Sequence, residues 1–195
     1  MHDAPCRRIS DSTDEARLLG CFTRRPAQLS GDGRGDAGVQ DRAILEVLYS
    51  TGIRRSELCS LDRFDLDLGR GVLVIRHGKG NENRRVPVGE RALDRVNRYL
   101  VEVCPEWVVD RHEEALFINQ YVARPSADAL SARVTRYVDA ANLGKRGSCH
   151  LFRQTMATLM LEGGADVRCV QQMLREPQDH ERVHPRLYRP AQKGA

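Results

Sequence analysis

The stretch from Val72 to Val88 constrains this chain most. VLVIR (72–76) and RRVPV (84–88) are short runs rich in β-branched residues, and the HGKGNEN between them has the glycines and asparagines of a hairpin loop. On either side of this one hairpin the pattern is helical. Strands and helices therefore do not alternate, which excludes a doubly wound sheet. The fold class expected is α+β, mostly helical, with a small antiparallel β-hairpin sheet.

Upstream, DRAILEVLYSTG places Ala43, Ile44, Val47 and Leu48 on one helical face, and Gly52 stops that helix. RSELCSL supplies Leu58 and Leu61 on a second helix. Downstream, ERALDRVNRYLVEV reads as a helix up to Pro105, and SADALSARVTRYVDAANLG as one closed by Gly144. ALFIN (115–119) is a short strand or a buried segment. CHLFRQTMATLMLEGG turns Phe152, Met156, Leu159 and Met160 to the core and stops at Gly163 and Gly164, after which Asp166 caps a helix over DVRCVQQML. Three stretches result. Residues 1–36 are loosely ordered, with one short amphipathic helix in TDEARLLGCF; residues 37–176 form the main domain; residues 177–195 are an atypical tail.

At 195 residues, 41% hydrophobic and 30% charged, the chain can bury one sizeable core and reads as a soluble domain. Its apolar runs fall short of the ~20 residues of a membrane span, and the N-terminal residues lack a secretory h-region, so a cytoplasmic location is expected. Six scattered cysteines without a CxxC pair point to free thiols rather than a zinc site. Aromatic content of 5% argues against base stacking as the main binding mode. The net charge of +4 is compatible with a polyanionic partner without requiring one, although Arg54, Arg55, Arg84, Arg85, Arg146 and Arg153 gather near the candidate site.

That site consists of Arg54 in TGIRRSEL, Lys79 in HGKGNENRRVPVG, and His150 and Arg153 in HLFR. Breaking a phosphodiester requires neutralising charge on its non-bridging oxygens. A guanidinium fork meets two oxygens at once and stays charged at any working pH. His150 lies three residues before Arg153, so both project from one side of a helix, where the imidazole can donate to a phosphate or move a proton. Lys79, between Gly78 and Gly80, can approach a backbone closely and protonate a leaving oxygen. Taken singly, each has a plainer reading: Arg54 as a surface arginine, Lys79 as a solvated loop tip, His150 as a cap or core contact, and Arg153 as an ion-pair partner of Glu162 or Asp166.

Together with their flanks, these motifs resemble the catalytic domain of the tyrosine recombinases, also called the phage integrase family. DRAILEVLYSTGIRRSEL resembles the segment of the first catalytic arginine, GKGNENRRVPV the hairpin of the catalytic lysine, and HLFRQTMATLMLEGGADVRCVQQML the segment of the H-x-x-R pair. The resemblance covers about Val39 to Leu174. It implies that a tyrosine attacks the scissile phosphate of double-stranded DNA, giving a 3′-phosphotyrosyl enzyme and a free 5′-hydroxyl that later reverses on a new strand. On this basis Arg54 and Arg153 stabilise the transition state, Lys79 is the general acid, and His150 shuttles a proton or donates a hydrogen bond. The resemblance further implies no cofactor, no metal, no small-molecule substrate, no membrane, and self-association on DNA.

The pattern breaks after Leu174. Where the family continues Gly-His, this chain has Arg175 and Glu176. Tyr188, the one tyrosine after the H-x-x-R motif, is the default nucleophile, but it sits between Pro185 and Pro190 at more than the family's spacing. Family members also carry a helical domain ahead of the catalytic one, while only 38 residues precede the match here. A truncated or degraded recombinase is therefore one expectation. A non-catalytic DNA-binding module that keeps the phosphate clamp is the alternative. A metal-dependent nuclease is disfavoured, because carboxylates and histidines do not cluster at ligand spacing.

Overall fold

A computed structural model describes residues 35–76, 83–104, 114–119, 121–142 and 147–174. Six α-helices and three strands lie in these segments: α1 (Gly35–Thr51), α2 (Arg55–Cys59), β1 (Leu66–Asp67), β2 (Val72–Ile75), β3 (Arg84–Pro87), α3 (Glu90–Glu102), α4 (Ala127–Ala140), α5 (Cys149–Glu162) and α6 (Val167–Leu174). The expected α+β, mostly helical class with one small antiparallel sheet is the fold observed.

The hairpin forms in the register that its alternation dictates. Leu73 pairs with Val86 and Ile75 with Arg84, so all four side chains lie on the buried face, while Arg85 and Pro87 are exposed. Pro87 is tolerated because β3 is an edge strand in the order β1-β2-β3. The third strand, β1, is two residues long and pairs Leu66 with Leu73. No alternation can be read from so short an element. ALFIN proves to be a buried segment: Ala115 bridges Asp62, and Leu116, Phe117 and Ile118 are buried.

Helix α1 is the axis of the core and packs against both α3 and α5. Ala43, Ile44, Val47 and Leu48 are buried as expected, and so is Leu45 on another side of the helix. A helix enclosed on several sides must pair its buried polar groups. The Asp41 carboxylate accepts from Arg133 (3.0 Å) and from the Tyr137 hydroxyl (2.7 Å), and Gln40 donates to the Ile118 carbonyl. Burial pushes the Asp41 carboxyl up, against the pull of Arg133 and Tyr137. The described cysteines, Cys59, Cys104, Cys149 and Cys169, are free thiols, and burial pushes Cys59 up to about 11. Among the described residues, no helix is long and apolar enough to cross a membrane.

The element ends follow local rules. Helix α1 begins at Gly35, inside the stretch expected to be loosely ordered, and stops at Gly52, whose φ is +60°. Ser126 caps α4 by accepting from the Ala129 amide (3.2 Å), and the Asp166 side chain caps α6 by accepting from the Arg168 amide (2.7 Å). Helix α4 ends at Ala140, and the expected stop at Gly144 lies outside the described residues, as does TDEARLLGCF. In α5, Phe152 and Met156 are buried, whereas Leu159 and Met160 are only half-buried, Met160 against the satellite cluster around α6.

Gly52 is also where three elements meet. A Cβ added there would lie 2.4 Å from Met156 Cε and 3.1 Å from Leu174 Cδ2. Gly52→Ala should therefore destabilise the fold by about 1–2 kcal/mol from the left-handed backbone alone. The check is a urea unfolding midpoint; an unchanged midpoint would contradict the strained geometry.

Candidate active site

Gly52 turns the chain out of α1, buried Ile53 anchors it, and Arg54 occupies the position just before α2 in extended backbone (φ −73°, ψ 151°). The Arg54 side chain is 31% exposed. What holds it is Glu57, one turn on. The Glu57 carboxylate accepts from the Arg54 backbone amide (2.8 Å) and from Arg54 Nη1 (3.1 Å). The same carboxylate also takes the whole fork of Arg84 from β3, Nη1 at 2.8 Å and Nη2 at 2.7 Å. Both Glu57 and Arg84 are buried.

Arg153 comes from the first half of α5 and is 5% exposed. Its Nη1 donates to the Gly52 carbonyl (2.7 Å) and its Nη2 to the Leu174 carbonyl at the end of α6. Arg153 is thereby tied to the turn that leads into Arg54. Arg153 grips the carbonyl of Gly52, and Arg54 follows two residues later. The plainer reading of Arg153, as a partner of Glu162 or Asp166, gives way to this interior role beside Gly52.

His150 is the second residue of α5, three before Arg153 and exposed, so the helical spacing expected of the H-x-x-R pair is present. Lys79 lies outside the described residues, although the strands on either side of it pair as a hairpin. Tyr188, Arg175 and Glu176 also lie outside them.

The basic cluster expected from sequence divides. Arg84 faces inward and is neutralised by Glu57, so it is structural rather than part of a solvent-facing anion surface. Arg55 is half-exposed and donates to Ser131 Oγ (2.8 Å) and Asp128 (3.3 Å). Arg85 is exposed, and Arg146 is outside the described residues. Sequence reasoning passed over Glu57 and the inward turn of Arg84. Two signals pointed to them: the three-residue step from Arg54 to Glu57, which is capping-box spacing, and the alternation that puts Arg84 on the same strand face as Val86.

Burial pushes the Glu57 carboxyl up, but the hydrogen bonds from Arg84 and the Arg54 amide, with the charges of both arginines, outweigh it and hold the carboxyl below its ordinary value. An acid depressed in the folded state contributes stability that is fully present above the unfolded value of about 4.3 and is lost as pH falls through the lower folded value. Glu57→Gln should cost roughly 3 kcal/mol by leaving Arg84 buried with a neutral partner. The difference in urea midpoint between wild type and this variant should shrink as the pH drops below about 4. A difference that stays constant with pH would show that the ionised carboxylate is not what holds the two arginines.

Residues 29–183 match the model of the phage integrase family, and the chain belongs to that family. It is 48% identical over 137 residues to tyrosine recombinase XerC 2 of Ralstonia nicotianae, a match covering 70% of this chain and 39% of the relative. Against tyrosine recombinase XerC of Natranaerobius thermophilus it is 40% identical over 150 residues, covering 75% of this chain and 50% of that one. The chain thus spans about half or less of these curated relatives. Among solved structures, the XerA recombinase superposes with a TM-score of 0.72 at 23% identity, covering 91% of this chain and 57% of that one. The XerH site-specific recombinase in a pre-cleavage complex with its difH substrate also gives 0.72, at 20% identity, covering 91% and 50%. These likenesses establish the fold.

Proposed function

We propose that this chain carries out site-specific recombination on double-stranded DNA, cleaving and rejoining strands through a 3′-phosphotyrosyl intermediate. The observation that supports the reading is that Arg54 and Arg153 are each held by hydrogen bonds before any ligand arrives, Arg54 by Glu57 and Arg153 by the carbonyl of Gly52, two residues before Arg54. Two preset guanidiniums are the arrangement a pentavalent phosphorus transition state requires, since its negative charge spreads over non-bridging oxygens and preset donors need no reorganisation. The names of the curated relatives, tyrosine recombinases XerC and XerD, and the DNA complexes among the solved relatives support the same substrate.

In this reading the Tyr188 hydroxyl oxygen forms the new bond to phosphorus and its proton passes to His150. The bond to the bridging 5′ oxygen breaks, and Lys79 supplies the proton that oxygen needs. Energy of the broken bond is kept in the phosphotyrosyl ester, so a 5′-hydroxyl from a second strand can reverse the step. The charge work is done by guanidinium, which makes a divalent metal unnecessary. The protein acts in the cytoplasm and associates with further copies of itself on DNA.

A second reading, a non-catalytic DNA-binding module, is favoured by one specific feature. Arg175 and Glu176 follow Leu174 where the family has Gly-His, and an acid there repels phosphate. A nicked suicide duplex separates the two. A covalent protein–DNA adduct that forms in EDTA and is lost in Tyr188→Phe supports recombination; retained DNA binding with no adduct supports the module.

Arg54→Ala should remove adduct formation, by at least about a hundredfold, while binding weakens only modestly. Arg153→Lys is the test at the other position, read beside its urea midpoint because one ammonium cannot hold both the Gly52 and Leu174 carbonyls. An undiminished adduct in either variant would take that residue out of the chemistry. Binding should also fall steeply with salt, as released counterions require, and a flat response would exclude contact through the phosphate backbone.

A further inference from the structure

We infer that Arg84 is a positioning residue for this site, tying the arginine pair to the C-terminal end of α6. The inference rests on the recombinase reading above. Arg84 is buried in β3, and its guanidinium is used on two edges. The Nη1 and Nη2 edge holds both oxygens of Glu57, the carboxylate that holds Arg54. The Nε donates to the Met173 carbonyl (3.0 Å). One residue later, Arg153 Nη2 donates to the Leu174 carbonyl. Two guanidiniums from different elements therefore take the Met173 and Leu174 carbonyls, at the last two described residues of α6.

This arrangement does more than cap a helix. In sequence, Leu174 leads directly into the stretch that carries Tyr188. A planar fork that reads Glu57 and Met173 at once fixes the Met173 end of α6 relative to Arg54. The second contact, from Arg153, fixes it relative to the other arginine. Displacement of α6 then cannot occur without disturbing Glu57 or Arg153. Misplacement of about 1 Å at a reacting centre can cost a hundredfold in rate with little change in affinity.

Lysine at position 84 separates this role from simple charge balance. Its ammonium can pair with Glu57 but has no rigid fork to span Glu57 and Met173 together. In the full-length chain, Arg84→Lys should raise hydrogen exchange of the α6 amides at least about tenfold while the α1 amides keep their wild-type rates. On the suicide duplex, adduct formation should slow by at least about tenfold, with the Kd for the same duplex within about twofold of wild type. Unchanged α6 exchange in a folded variant, or equal acceleration in α1 and α6, overturns the inference.

Native-state exchange of the wild type against denaturant supplies a measurement that needs no variant. The amides of β3 and α6 should open as one unit, and α6 opening alone at lower denaturant also overturns the inference. If the wild type forms no adduct, the recombinase reading fails, while the exchange measurements still decide whether Arg84 couples these elements.

Discussion

One buried carboxylate organises the site. The two oxygens of Glu57 offer about four lone-pair positions, and four donors occupy them: the Arg54 amide, Arg54 Nη1, and the two Nη atoms of Arg84. Such an ion pair adds little net stability, because desolvation of both charges offsets most of their attraction. Its worth lies in position. With every acceptor site filled, Arg84 cannot shift without leaving its own buried charge unpaired, and Arg54 is held through its amide and Nη1 while its side chain stays partly exposed.

The rest of the fold serves that placement. Helix α1 must be held on several sides for Gly52 to emerge at a defined point, and the Asp41, Arg133 and Tyr137 bonds lock α1 to α4. Gly52 then does two jobs: it ends α1 with a positive φ, and it offers the carbonyl that seats Arg153. The close fit of Met156 and Leu174 around it leaves no room for a side chain. Local backbone conformation and the position of the Arg153 guanidinium are thus set by the same residue.

Much of this was legible in the sequence. The helical face of α1, the Gly52 stop, the hairpin, the Asp166 cap and the shared helix of His150 and Arg153 follow from periodicity and end signals, which are local. Less visible was anything fixed by pairing across distance. β1 is too short to alternate. Arg84 read as part of a basic surface because charge suggests exposure, although its strand position put it inside with Val86. Arg153 read as an anion clamp, and its bonds to the Gly52 and Leu174 carbonyls depend on α1, α5 and α6 meeting, which no local pattern encodes. Lys79 and Tyr188 lie outside the described residues, and the roles proposed for them rest on the sequence resemblance.

The central claim is that an ionised Glu57 holds both arginines. An NMR titration of the Glu57 side-chain carboxyl carbon tests it directly. The account predicts a midpoint below the ordinary glutamate value of about 4.3 that rises when Arg84 is replaced by glutamine. A midpoint at or above that value in the wild type, unmoved by the replacement, would contradict it.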